Sequence, residues 1–136
     1  MIPSISYITL GVEDLARSVA FYHDVFGWPT DGIIGTEFEH GAVVFFKLDK
    51  GITFALWPRT SIAHDAGIAC GPRDPSGLLL AHNVGSHAEV DQIMAQLQSG
   101  GADIKKPAQP LFWGGYGGLI ADPDGHLWEI VYNPHR

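Results

Sequence analysis

A carboxylate at Glu129 stands between Leu127 and Val131 in the run His126-Leu127-Trp128-Glu129-Ile130-Val131-Tyr132, and no other residue of the chain is as suggestively placed for chemistry. On an extended segment Leu127, Glu129 and Val131 share one face, and Trp128, Ile130 and Tyr132 share the other. A carboxylate among apolar neighbours needs a cation, a hydrogen-bond donor, a metal ion or its own proton. Glu129 can therefore be read as a metal ligand, as a general base, or as the acceptor of a structural hydrogen bond. No local partner completes a catalytic set. The seven histidines form no HxH or HxxxH pair, and no Ser lies in a GxSxG turn. His82 reads as packed or hydrogen-bonded under a helix, and His64 and His135 as solvated.

The second unusual stretch is Phe112-Trp113-Gly114-Gly115-Tyr116-Gly117-Gly118. Its glycines permit close backbone approach, as in a loop or β-bulge. They equally suit a mobile lip that would bring Trp113 or Tyr116 over a flat ligand. It is not a phosphate loop, because it lacks GxxxxGK[ST] and does not join a strand to a helix.

The elements that must position these groups follow from periodicity. Asp122-Pro123-Asp124-Gly125 reads as a β-turn feeding the strand His126 to Tyr132. Near the start, Ile5 to Val12 reads as a strand with Tyr7, Thr9 and Gly11 on one face. A helix capped by Asp14 follows, with Leu15, Val19, Tyr22 and Phe26 at helical spacing until Gly27 and Pro29. Strands are expected over Ile33 to Glu39, Val43 to Leu48 and Ile52 to Trp57, linked by the turns Glu39-His40-Gly41 and Asp49-Lys50-Gly51.

Prolines, glycines and small polar residues from Pro58 to Gly77 then read as a connection. The pattern starts again with a strand over Leu78 to Val84, placing Leu79, Ala81 and Asn83 on one face. Ser86 with Glu89 fits a capping box, and Val90, Ile93, Met94 and Leu97 mark a second amphipathic helix. Extended segments follow from Ile104 towards Phe112, over Tyr116 to Ala121, and over His126 to Tyr132. The halves repeat strand, helix, strand, strand, strand at an offset of about 70 residues, which suits a duplicated βαβββ module rather than a solenoid. The helix-facing positions predict a core of Leu10, Leu15, Val19, Tyr22, Phe26 and Phe54 in the first half. In the second half they predict Leu80, Val90, Ile93, Leu97, Trp128 and Ile130.

Composition bounds the function classes. At 136 residues and 46% hydrophobic, the chain can bury one ordinary core or two small modules. No apolar run approaches the roughly 18 residues of a membrane span, so a soluble, membrane-free protein is expected. A net charge of -7 argues against nucleic acid as a partner. The single Cys70 rules out an internal disulfide and suits a reducing, cytoplasmic setting.

The stretches YITLGVEDLARSVAFYHDVFGW, LLLAHNV and GLIADPDGHLWEIVYNP together resemble the vicinal oxygen chelate superfamily, the glyoxalase/bleomycin resistance/dioxygenase proteins. The resemblance implies an α+β fold of two βαβββ modules, with curled mixed sheets enclosing a cleft, and a homodimer. It covers 1-136 as a single domain, with modules at about 4-60 and 77-134 joined over about 58-77. The family's metal positions fall on Tyr7, Ala55, Leu79 and Glu129, of which only Glu129 is a usual ligand.

The expected site is therefore a ligand-binding cleft with Tyr7, Thr9 and Trp57 from the first module. The second contributes Leu79, Asn83, Trp113, Tyr116 and Glu129. The expectation is a small-molecule binder with no cofactor and no metal, in which Glu129 is either neutral or hydrogen-bonded, with Tyr7 as the nearest donor. The alternative is a glyoxalase-like lyase, isomerase or dioxygenase with a divalent Zn, Ni, Mn or Fe and Glu129 as metal ligand or base.

Overall fold

The computed structural model describes residues 1–136 and divides them into two compact units, Met1–Pro72 and Arg73–Arg136. Each unit carries its own open, mixed sheet with helices, giving an α+β architecture. No helix is long and apolar enough to cross a membrane.

In the first unit β1 (Tyr7–Val12) pairs in parallel with β3 (Thr53–Pro58), and β3 pairs antiparallel with β2 (Val44–Lys47). Strand alternation drives Leu10, Val12, Val44, Phe46, Phe54 and Leu56 into the core. Asp14 caps α1 (Leu15–Ala20) by accepting from the Arg17 backbone N–H at 3.1 Å, as the sequence suggested. The helix then widens into a π-helical turn over Phe21–Val25, closed by a bond from the Phe26 N–H to the Phe21 carbonyl. Ser18, Phe21 and Tyr22, at the i, i+3, i+4 spacing of one helix face, are the buried residues here. Leu15, Val19 and Phe26, expected in the core, are only half-buried.

Two expectations for this unit fail. Ile33 to Glu39 is not a strand, and only the bridge between Ile34 and Val43 remains of the expected pairing. The backbones of Gly35 and Gly41 pack against each other, and turn bonds run from the Phe38 N–H to the Gly35 carbonyl and from the Gly41 N–H to the Phe38 carbonyl. The Thr30 hydroxyl meanwhile donates to the Phe45 carbonyl at 2.8 Å on the free edge of β2. The segment read as a connection also holds a helix, α2 (Arg59–Ala66), ended by Gly67 at φ 69°. Its buried residues include Ser61 and Ala63, too small to mark an apolar stripe in the sequence.

In the second unit the sheet order is β4-β7-β6-β5, built from β4 (Leu79–Val84), β5 (Asp103–Pro110), β6 (Tyr116–Ala121) and β7 (Leu127–Tyr132). β4 and β7 are parallel and the other pairs antiparallel. Ser86 caps α3 (His87–Ser99) through the Glu89 N–H, and the Glu89 carboxylate accepts from the Gly85 N–H at 3.0 Å. α3 packs over β5, β6 and β7, burying Val90, Met94 and Leu97 against Ile120, Trp128 and Ile130. β4 lies at the sheet edge, which leaves Leu80 half-buried and His82 exposed rather than packed under the helix. Ile93 is half-buried as well.

Candidate functional site

On the face of the first sheet opposite α1, Thr9, Ala55 and Phe45 lie side by side in register across β1, β3 and β2. Trp57 follows Ala55 on that face at the spacing of two residues that strand geometry requires. The loop leading into β2 brings His40 beside them. Together with Gly41 and Val43 these residues line a concavity of about 300 Å³. Three contacts fix His40 there. Its carbonyl accepts the Trp57 indole N–H at 2.9 Å, and its Nδ1 lies 2.9 Å from Oγ of the buried Ser61. Its ring stacks on His64 with centroids 4.2 Å apart and planes 15° apart. His40 adopts φ 56°, a conformation few side chains tolerate, so the loop is locked rather than slack.

Thr9 and Trp57 were expected at such a site. His40 and Ser61 were not, and the only sequence hint was a His in a glycine-bounded link before an aromatic strand. Tyr7 sits one row further out, opposite Thr53, with its ring edge-on to Phe45 at 6.3 Å and 62% of its surface exposed.

In the second unit Glu129 lies between Ala81 of β4 and Leu119 of β6. Glu129 is half-buried and makes no hydrogen bond within its own unit. Leu79 is opposite Leu127, and Asn83 opposite Val131. Trp113 folds its indole over Gly115, where no Cβ would fit.

Tyr116 lies on the helix-facing side of β6 with Ile120, away from the face that carries Glu129. Its ring stacks on His87 at 4.3 Å, and its hydroxyl donates to the Asp91 carboxylate at 2.6 Å. That bond holds the Tyr116 phenol above its ordinary value of 10.0. A raised folded-state value means that the bond's stabilisation is complete below the ordinary phenol range and is lost as pH climbs through the raised one. Phenolate absorbance, taken as wild type minus Tyr116→Phe, should therefore titrate above the ordinary midpoint and shift back down in Asp91→Asn.

The family resemblance implies a divalent ion, and the donor set tests it. Within the first unit the implied positions hold an exposed phenol, Tyr7, and the methyl of Ala55, whose neighbours are Thr9 and Phe45. In the second they hold the Leu79 side chain and a carboxylate, Glu129, flanked by Ala81 and Leu119. Neither unit supplies a ligand set there.

A different cluster does bring donors together: ligating atoms of Asp122, Asp124 and His126 lie within 4.8 Å of one another. These atoms are already engaged. Asp122 accepts from the Asp124 N–H at 2.9 Å and the His126 N–H at 2.8 Å, and its second oxygen lies 3.0 Å from His126 Nδ1. Arg73 donates to the Asp124 carbonyl at 2.6 Å and to its carboxylate at 3.2 Å. The cluster is a hydrogen-bonded turn. The wider depression beside it, about 540 Å³, is charged and already paired, with Lys105 2.7 Å from Asp103.

Sequence and structure comparisons agree with this architecture. The profile of the Glyoxalase/Bleomycin resistance protein/Dioxygenase superfamily matches residues 4–130. A glyoxalase-related enzyme from Fulvimarina pelagi superposes with a TM-score of 0.82 at 35% identity, covering 98% of this chain and 90% of that one. Lactoylglutathione lyase from Agrobacterium tumefaciens gives 0.71 at 23% identity, over 96% and 94% of the two chains. A mutant of the fosfomycin resistance protein FosX from Listeria monocytogenes, complexed with manganese(II) and a dihydroxypropylphosphonic acid, gives 0.67 at 25% identity, over 96% and 90%. No curated protein matches the sequence.

Proposed function

This chain belongs to the glyoxalase/bleomycin resistance protein/dioxygenase superfamily, and we propose that within it the protein is a metal-independent binder of a small, planar, largely apolar molecule. The observation that carries this reading is the concavity on the first unit's sheet, where Ala55 stands with Val43, Phe45 and Trp57. Sites for small apolar molecules are concave and ring-rich, with a few fixed polar groups. Ala55 is also one of the positions where the family resemblance would put a metal ligand, so the surface that would need a donor offers a methyl group instead. Glu129, flanked by Ala81 and Leu119, has no second ligating group beside it in its own sheet.

The test combines a thermal-shift screen of planar aromatic compounds with metal analysis of the purified protein. A binder stabilises the folded state by mass action, so hits should raise the melting temperature of the wild type. They should not raise that of Phe45→Arg, which places a charge on a wall residue that is 40% exposed and so tolerant of change. Glu129→Gln should alter stability by less than about 0.5 kcal/mol, as expected for a side chain with no partner to lose. Stoichiometric Zn, Ni, Mn or Fe that disappears in Glu129→Gln would overturn the proposal in favour of a metal-dependent enzyme.

A further inference from the structure

The Ser61 hydroxyl is buried, with the residue only 3% exposed, and its one hydrogen-bond partner is Nδ1 of His40. Two proton arrangements are open to this pair. If Nδ1 carried the imidazole proton and donated it, the Ser61 O–H would be left in the interior with no acceptor. An orphaned buried donor costs more than an unused lone pair, so the hydroxyl donates to Nδ1. The proton of the neutral ring then resides on Nε2. Nε2 has no partner within the protein. Within the concavity the Trp57 N–H is consumed by the His40 carbonyl, leaving the Thr9 hydroxyl as the other free polar side chain of its lining.

We infer that His40 is the specificity-determining residue of this concavity, presenting a fixed Nε2–H donor to a carbonyl or carboxylate oxygen on a planar aromatic ligand. The inference rests on the ligand-binding reading above and narrows it. A donor held in place by a buried hydroxyl selects an acceptor oxygen. It discriminates against amines, whose ammonium group can only donate, and gives a hydrocarbon no hydrogen bond. Ser61 is a positioning residue, acting through the tautomer it imposes, and the His64 stack holds the ring plane.

Three probes of similar shape test this: acetylnaphthalene, naphthoate and ethylnaphthalene, titrated by tryptophan fluorescence into wild type, His40→Asn and Ser61→Ala. Asn tolerates the left-handed backbone at this position, so the first variant keeps the loop. Ser61→Ala keeps the ring and removes only the group that sets its tautomer. In the wild type one or both oxygen-bearing probes should bind about three- to tenfold tighter than ethylnaphthalene, the usual effect of one neutral hydrogen bond. The preference should vanish in His40→Asn and shrink in Ser61→Ala, while ethylnaphthalene keeps its affinity in Ser61→Ala. Nitrogen NMR of the imidazole should show the proton on Nε2. Naphthoate alone showing the preference would identify carboxylates as the ligand class, and acetylnaphthalene alone would identify ketones. Equal binding of all three probes to the wild type, an unchanged preference in both variants, or a proton on Nδ1 would overturn the role of His40 and leave the concavity as a binding site. Failure of all three probes to bind would overturn the ligand-binding reading and this inference with it.

Discussion

Asp122→Ala is expected to lose about 3–5 kcal/mol of unfolding free energy, because one buried carboxylate holds the turn before β7 closed. Asp122 is 5% exposed and receives the Asp124 and His126 backbone N–H groups and the His126 ring. Alanine would strand two backbone donors in a site with little access to water. It would also loosen Asp124, whose fully buried side chain is paired with Arg73. Asp122→Asn keeps one oxygen for the backbone donors and should cost less, about 1–2 kcal/mol. Urea unfolding should show a lower midpoint with an unchanged slope. A loss below about 1 kcal/mol for Asp122→Ala would mean that water replaces the carboxylate and that the turn is not the clamp described here.

Gly35→Ala should cost about 2–4 kcal/mol and abolish ligand binding in the first unit's concavity. Gly35 has φ 78°, where an L side chain is strained, and a Cβ there would run into the Gly41 carbonyl, with the Gly41 carbonyl carbon only 3.0 Å away. The obstacle is backbone, which cannot swing aside as a side-chain tip can. Relief requires residues 35–41 to open, and that carries His40 away from Ser61 and Trp57. The expected signature is a lowered melting temperature together with loss of the ligand-induced thermal shift. Gly51→Ala is the control, having a similar φ of 82° but no atom within 4 Å of a new Cβ. It should lose some stability and keep binding.

What the sequence alone determined lies where the deciding groups are a few residues apart. Asp14 and Ser86 cap their helices through the third residue on, Val90, Met94 and Leu97 bury at helical spacing, and Asp122 closes a turn within four residues. Alternation along Tyr7 to Val12 and Leu127 to Tyr132 assigned the faces of β1 and β7, and so placed Thr9 and Glu129 correctly on their sheets. The order strand, helix, strand, strand, strand holds in the second unit, and the superfamily was legible as a resemblance in the quoted stretches near both ends of the chain.

Tertiary structure alone decided the rest, because each remaining feature depends on a distant partner. The chain from Ile33 to Glu39 was read as a strand, yet beyond Ile34 it folds as a loop in which Gly35 and Gly41 pack backbone to backbone. Thr30 occupies an edge carbonyl of β2 that an added strand could have used. α2 was hidden because its buried residues are Ser61 and Ala63, which bury little apolar surface and leave no periodic trace. The first helix buries Ser18, Phe21 and Tyr22 rather than Leu15 and Val19, and Tyr116 meets Asp91 and His87 on the helix side of β6. His40 is the strongest case. Its partners lie 17 and 21 residues away along the chain, at Trp57 and Ser61. No local pattern marks a residue whose backbone conformation, ring plane and proton position are each set by a different distant group.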